Sequence, residues 1–210
     1  MTFPGISRVT QLIKRLMPKA IILLYHRVAK VKYDPQLLSV SPDHFAEHMQ
    51  ILRKIFHPTG LRQLRRRLRL NAWPDRSVVI TFDDGYADNF LHVFPVLETY
   101  DIPATIFVTT GLVNTNRLFW WDELETIFLS NANLPPNLEL TIGNCEYSWQ
   151  FKDTTTTNIQ KWNVLEKSSP TPNQEAYLTL IKHMHTLDPV HREKLLLNLK
   201  NWAGLEIKRD

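Results

Sequence analysis

Residues 78–86 read VVITFDDGY: four residues that could line the middle of a sheet run straight into two adjacent carboxylates and a glycine. The stretch SVVITF (77–82) is continuous, apolar and β-branched, the pattern of a strand covered on both faces as in parallel sheets. Asp83 and Asp84 then fall at its carboxyl end, where parallel α/β architectures carry their reactive groups on loops. Two neighbouring carboxylates repel, so either one is protonated or a cation lies between them, and a divalent metal is the usual solution. Gly85 lets the backbone turn sharply and approach a ligand closely. The plainer alternative has one Asp capping the helix that begins near Ala87, which leaves the second acid without a use.

The flanks read as an α/β repeat. IILLYHRV (21–28) is a short apolar run that stops at polar residues, as a buried strand does. SPDHFAEHMQILRKIF (41–56) opens with Ser41 as N-cap, Pro42 at the first helical position and Asp43 in the first turn, and sets Phe45, Met49, Leu52 and Phe56 on one face. After the carboxylates, a second helix carries Tyr86, Phe90, Val93, Phe94 and Leu97 as its inward stripe, and IPATIFVTTG (102–111) is another buried strand. Strand, helix, strand in about 30 residues is a right-handed crossover unit, the repeat of open α/β sheets and of α/β barrels.

From residue 119 the pattern changes. FWWDELE (119–125) starts a helix reaching about residue 130, and Pro135 and Pro136 break the chain. LELTIGNCEYSWQF (138–151) sets Leu138, Leu140 and Ile142 before a turn and Tyr147, Trp149 and Phe151 after it, which is a hairpin. KDTTTTNIQ (152–160) is loop-like, and two helices follow at about 173–186 and about 190–203, the second capped by Asp188 and Pro189.

At 210 residues and 43% hydrophobic, the chain can bury a core, which excludes a disordered tail. Its one cysteine, Cys145, cannot form an internal disulfide. No apolar run approaches the roughly 18 residues of a membrane span, and AIILLY (20–25) is too short for a signal-peptide core, so a cytoplasmic location is the default expectation. Residues 1–70 hold 14 Lys and Arg against 3 Asp and Glu, and the remainder 11 against 18. The excess sits on ISRVTQLIKRLMPK (6–19), with Ile6, Val9, Ile13 and Leu16 at helical spacing, and on LRQLRRRLRL (61–70), with Leu61, Leu64 and Leu68 between arginines. Either could rest on an anionic membrane as a peripheral contact, or be a solvated helix face; no aromatic platform or motif points to nucleic acid.

The string TFDDGYADNF (81–90) resembles the first motif of the polysaccharide deacetylase (NodB-homology) family, and its neighbours agree in order: LLYHRV (23–28), SPDHFAEHMQILRK (41–54), PATIFVTTG (103–111) and FWWDELE (119–125). The resemblance implies a distorted (β/α) barrel and metal-dependent hydrolysis of N-acetyl, or O-acetyl, groups on a sugar polymer. By position, Asp83 matches the catalytic base, Asp84 a metal ligand, and the cofactor is a divalent metal, Zn foremost. His26, Tyr86, Trp120 and Trp121 are candidate contacts to an N-acetylated polysaccharide, although Trp120 and Trp121 could equally anchor the insertion.

The family's His-Ser/Thr-x-x-His motif has no counterpart in the chain. His183 and His185 diverge on a helix and His191 opens the next, so all three read as ordinary surface or half-buried residues. Only three barrel strands are legible (21–25, 78–82, 104–109), where a closed barrel uses about eight. The expected organisation is therefore a basic amphipathic helix over 1–19, the N-terminal part of an incomplete distorted barrel over 20–118, and a helical and hairpin insertion over 119–210. This expectation treats the sequence as the first part of a longer deacetylase, weakly active or inactive as it stands. Two rivals remain: a catalytically incomplete carbohydrate-binding remnant, and a zinc peptidase using His44, Glu47 and His48 of HFAEH (44–48).

Overall fold

The computed structural model describes residues 20–70, 72, 76–131, 133–151, 162–166 and 170–206; the amphipathic stretch over 6–19 and the polar stretch over 152–160 lie outside them. The chain divides into two compact units, Met1–Val31 with Leu38–Thr109, and Lys32–Leu37 with Thr110–Asp210.

The first unit is of the α/β class. Its centre is β5 (Ser77–Phe82), buried at every position as its unbroken apolar run demands. β1 (Ala20–Tyr25) runs parallel to it from Ala20 opposite Ser77 to Tyr25 opposite Phe82. On the other side β4 (His57–Pro58) pairs with the start of β5, and β6 (Ala104–Ile106) pairs with its end from Ile80 to Phe82, both parallel. A separate parallel pair, β2 (Arg27–Val28) with β3 (Ser39–Val40), lies off this sheet. Among the described residues β1 and β6 each have a strand neighbour on one side only, so the strands do not close into a barrel.

Helix α1 (Pro42–Ile55) begins as its sequence dictates: the Ser41 hydroxyl accepts the His44 N–H at 3.2 Å, and Pro42 occupies the first turn, where its missing N–H has no partner to lose. Its buried residues Phe45, Met49 and Leu52 pack with Val78, Ile80 and Phe82 of β5. The Phe45 ring meets the Tyr25 ring edge-on at 5.3 Å, and Tyr25 stacks on Phe82 at 5.5 Å. Burying each such side chain contributes about 1.5–3 kcal/mol. Helix α2 (Leu61–Arg69) buries Leu64 and leaves Leu61 and Leu68 half-buried.

Two expectations are corrected here. The helix after the carboxylates opens with a π turn over Asn89–Val93 before α3 (Phe94–Tyr100). One extra residue in that turn shifts the inward face to Asn89, Val93 and Leu97, and Phe90 and Phe94 swing outward, 71% and 52% exposed, with their rings stacked at 5.9 Å. The strand expected over 104–109 stops at Ile106, and Ile106, Phe107 and Val108 are exposed, because β5 covers this segment from one side only.

In the second unit, α4 (Trp120–Glu125), a π turn (Thr126–Ser130), the hairpin β7 (Asn137–Ile142) and β8 (Cys145–Gln150), α5 (Pro172–Met184) and α6 (Pro189–Ala203) surround their own core, with Phe128, Tyr177, Leu180, Met184 and Leu199 at its centre. The hairpin pairs Leu138 with Trp149 and Leu140 with Tyr147. Lys200 Nζ lies 3.0 Å from Glu123 Oε2, an ion-pair contact off the hydrogen-bonding direction. The buried Tyr177 hydroxyl accepts from Gln36 Nε2 at 2.9 Å, and burial pushes its pKa far up. No helix among the described residues is long and apolar enough to cross a membrane.

Candidate functional site

The carboxyl end of β5 is a built turn. Asp83 continues the ladder, donating its N–H to the Tyr25 carbonyl at 3.0 Å. Gly85 N–H then returns to the Asp83 carbonyl at 2.9 Å, closing a three-residue γ-turn around Asp84. Asp84 adopts φ 69° and Gly85 φ 75°, so a non-glycine residue is held in left-handed backbone, a conformation costing about 1–3 kcal/mol that persists where the surroundings over-determine it. The surroundings do: Thr109 N–H reaches the Asp84 carbonyl at 3.2 Å, and Phe107 N–H the Phe82 carbonyl at 2.8 Å. Among the described residues neither the Asp83 nor the Asp84 side chain caps the helix that follows.

Gly85 is required twice over. A Cβ there would stand 3.1 Å from Val108 Cα and from Val108 Cγ1, on top of the positive φ. Gly85→Ala is expected to lower the unfolding free energy by about 2 kcal/mol, read as a shift in the urea midpoint; a loss under about 0.5 kcal/mol would show that the turn tolerates a side chain.

Burial raises the pKa of Asp84 above the usual carboxylate range; the charge of His26 pulls it back in part, and the neighbouring charge of Asp83 raises it further. A carboxyl with a raised folded pKa binds its proton more tightly folded than unfolded. Its contribution to stability is therefore present below the ordinary carboxylate pKa near 4 and is lost as pH rises through the folded value. Asp84→Asn removes that penalty and keeps a residue tolerant of left-handed backbone. It should raise the melting temperature by about 2–4 °C at pH 7, with the gain shrinking to nothing below about pH 4. A gain that persists unchanged at pH 3 would contradict this account.

His26 lies between β1 and β2, next along the chain from the Tyr25 carbonyl that receives Asp83. The structure thus brings His26 to the same sheet edge as the acid pair. Tyr86 is half-buried with the Arg27 guanidinium 4.5 Å over its ring. Trp120 and Trp121 belong to the second unit: Trp120 is packed by His185 edge-on at 5.0 Å and by the Arg192 guanidinium at 5.2 Å, and Trp121 stacks on Phe119 at 4.6 Å. His183 bonds the Tyr147 hydroxyl at 2.6 Å, and His191 bonds Asp188. His44, Glu47 and His48 are exposed on α1, with His48 Nδ1 3.2 Å from the Tyr25 hydroxyl. Among the described residues no group of three or more His, Cys, Asp or Glu is arranged to hold a metal ion.

Sequence reasoning missed one carboxylate that positions this edge. Asp88, 8% exposed, accepts the Val28 N–H at 3.1 Å on one oxygen and Arg27 Nε at 3.0 Å on the other. It thereby ties the residues after His26 to the residues after the acid pair. Both strings are plain in the sequence, but no local signal links residues 60 apart.

Residues 71–134 match the family model for polysaccharide deacetylase. Among curated proteins, the chain is 36% identical over 93 residues to YxkH of Bacillus subtilis (strain 168), covering 41% of this chain and 30% of that one. It is 31% identical over 86 residues to the poly-beta-1,6-N-acetyl-D-glucosamine N-deacetylase of Escherichia coli (strain K12), covering 40% and 13%. Among solved structures, IcaB from Ammonifex degensii aligns with a TM-score of 0.42 at 27% identity, covering 51% of this chain and 48% of that one. The chain thus spans less than a third of the length of either curated relative. The segment that carries the acid pair is thus similar to polysaccharide deacetylases, over residues 71–134.

Proposed function

We propose that the Asp83–Asp84 turn is the reacting edge of a hydrolase that removes N-acetyl, or O-acetyl, groups from a sugar polymer, with a β-1,6-linked N-acetylglucosamine polymer as the first substrate to try. The observation that carries this reading is the strained turn itself. Two acids stand side by side at the end of a fully buried parallel strand, held by Gly85 and Thr109, and their side chains are not used up in capping. The partial family match over residues 71–134 supports it.

In this reading Asp83 is the general base: a carboxylate at the sheet edge takes a proton from water as the water attacks the acetamide carbonyl, a role worth about 10²–10⁴-fold in rate. Asp84, within electrostatic reach of His26, supplies charge beside the reacting atoms. A divalent metal, zinc foremost, is the cofactor expected of the family, with Asp84 as a ligand. The described residues do not fit a closed zinc site, which needs three or four protein ligands; two carboxylates suit a weakly held hard cation better. Weak activity is the corresponding expectation for these 210 residues.

The test is acetate release from short β-1,6-linked N-acetylglucosamine oligomers by the purified chain, with and without added zinc or magnesium. Release above that of the Asp83→Asn protein supports the reading. Oligomer binding with no release in any condition overturns it in favour of a carbohydrate-binding module.

A further inference from the structure

Helix α2 carries five arginines and no acid, and four of them, Arg62, Arg65, Arg66 and Arg69, recur at three- and four-residue spacing on one face. Leu64 is buried on the opposite side, and all four guanidinium side chains are exposed. Every adjacent pair on the strip is therefore a like-charge pair of the kind that destabilises a helix. Arg62 stands in the first turn, where the helix dipole disfavours a cation, and the N-cap, Gly60, offers no side chain to compensate. Among the described residues none of the four makes an ion pair or a hydrogen bond through its side chain. Local rules are broken here without a compensating contact among the described residues, the usual mark of a surface shaped for a partner.

The shape of the strip says what kind of partner. The four arginines and Leu70 wall a shallow groove of about 320 Å³, and Leu70 is itself 68% exposed. The strip is about 10 Å long, spanning two helical turns. Guanidinium forks match phosphate oxygens two at a time, so the row fits several phosphates side by side better than one ion. Leu70 at its end adds an apolar contact among the cations, and among the described residues no aromatic ring lines the groove to stack a nucleobase. A layer of phosphates backed by hydrocarbon has this chemistry.

We propose that the arginine face of α2 is a peripheral docking surface for anionic phospholipid membranes. The test uses the whole chain with sedimented vesicles of phosphatidylcholine, alone or with about 30% phosphatidylserine. The expected result is a preference of about tenfold or more for the anionic vesicles, abolished at about 1 M salt. R62Q/R65Q/R66Q/R69Q should lose that preference. K32Q/K54Q/K182Q/K194Q removes the same charge from other exposed sites and should keep it within about twofold. The double variants R62Q/R65Q and R66Q/R69Q should each lose part of it, which preserves the test if the fourfold variant folds poorly. Equal binding to neutral and anionic vesicles overturns the proposal, as does an equal loss in the lysine variant. Tighter binding to duplex RNA or DNA than to anionic vesicles at the same salt also overturns it, in favour of a nucleic-acid surface.

Discussion

Asp83→Asn is expected to lower acetate release by about 10²–10⁴-fold while leaving the melting temperature within a few degrees of the parent. The substitution keeps the shape of the side chain and the backbone bond from Asp83 N–H to the Tyr25 carbonyl, so the turn stays in place. What disappears is basicity: an amide oxygen does not collect the proton released as water attacks. A base acts only in the chemical step, so the loss should fall on kcat, with KM little changed. A rate within about threefold of the parent would remove Asp83 from the reaction, and a large rise in KM at constant kcat would recast it as a binding residue.

The second large effect is on stability. Asp88→Ala should lower the unfolding free energy of the first unit by about 3 kcal/mol, measured by chemical denaturation at neutral pH. An exposed ion pair is worth less than about 1 kcal/mol, and removing one partner of a fully buried pair costs about 3–5. The Asp88 side chain is 9% exposed and Arg27 30%, which places this pair toward the buried end, and Val28 N–H loses its acceptor in the same change. Asp88→Asn, which can still accept from Val28, should lose about half as much. Because Arg27 also covers the Tyr86 ring, the alanine variant should loosen the sheet edge that carries His26. A loss under about 1 kcal/mol would mean that the pair contributes no more than a surface contact.

Much of this architecture is legible in the sequence wherever a local rule decides. A strand covered on both faces needs an apolar or small residue at each position, and Ser77–Phe82 has one. α1 announces its start through Ser41 and Pro42, and the hairpin through alternation around Gly143. The acid pair stands out because one Asp would suffice to cap the helix that follows. What stayed hidden depends on neighbours distant in the chain. Ile106 to Val108 look like core by composition, yet their burial depends on what flanks them in space. Asp88 finds Arg27 across 61 residues. The left-handed backbone of Asp84 leaves only the following glycine as a clue, and the stripe through Phe90 and Phe94 fails because it assumes 3.6 residues per turn where the helix takes one more.

That wide turn at Asn89–Val93 has a consequence for sequence length. Each residue rotates a helix by about 100°, so losing a single residue there would rethread everything from Phe94 to Tyr100 by more than a quarter turn. Leu97 would leave the core, while Asn89, whose amide nitrogen and oxygen are both buried without a hydrogen-bond partner among the described residues, would stay on its present face. In homologous chains, a one-residue gap in this segment should therefore be rarer than any point change within it.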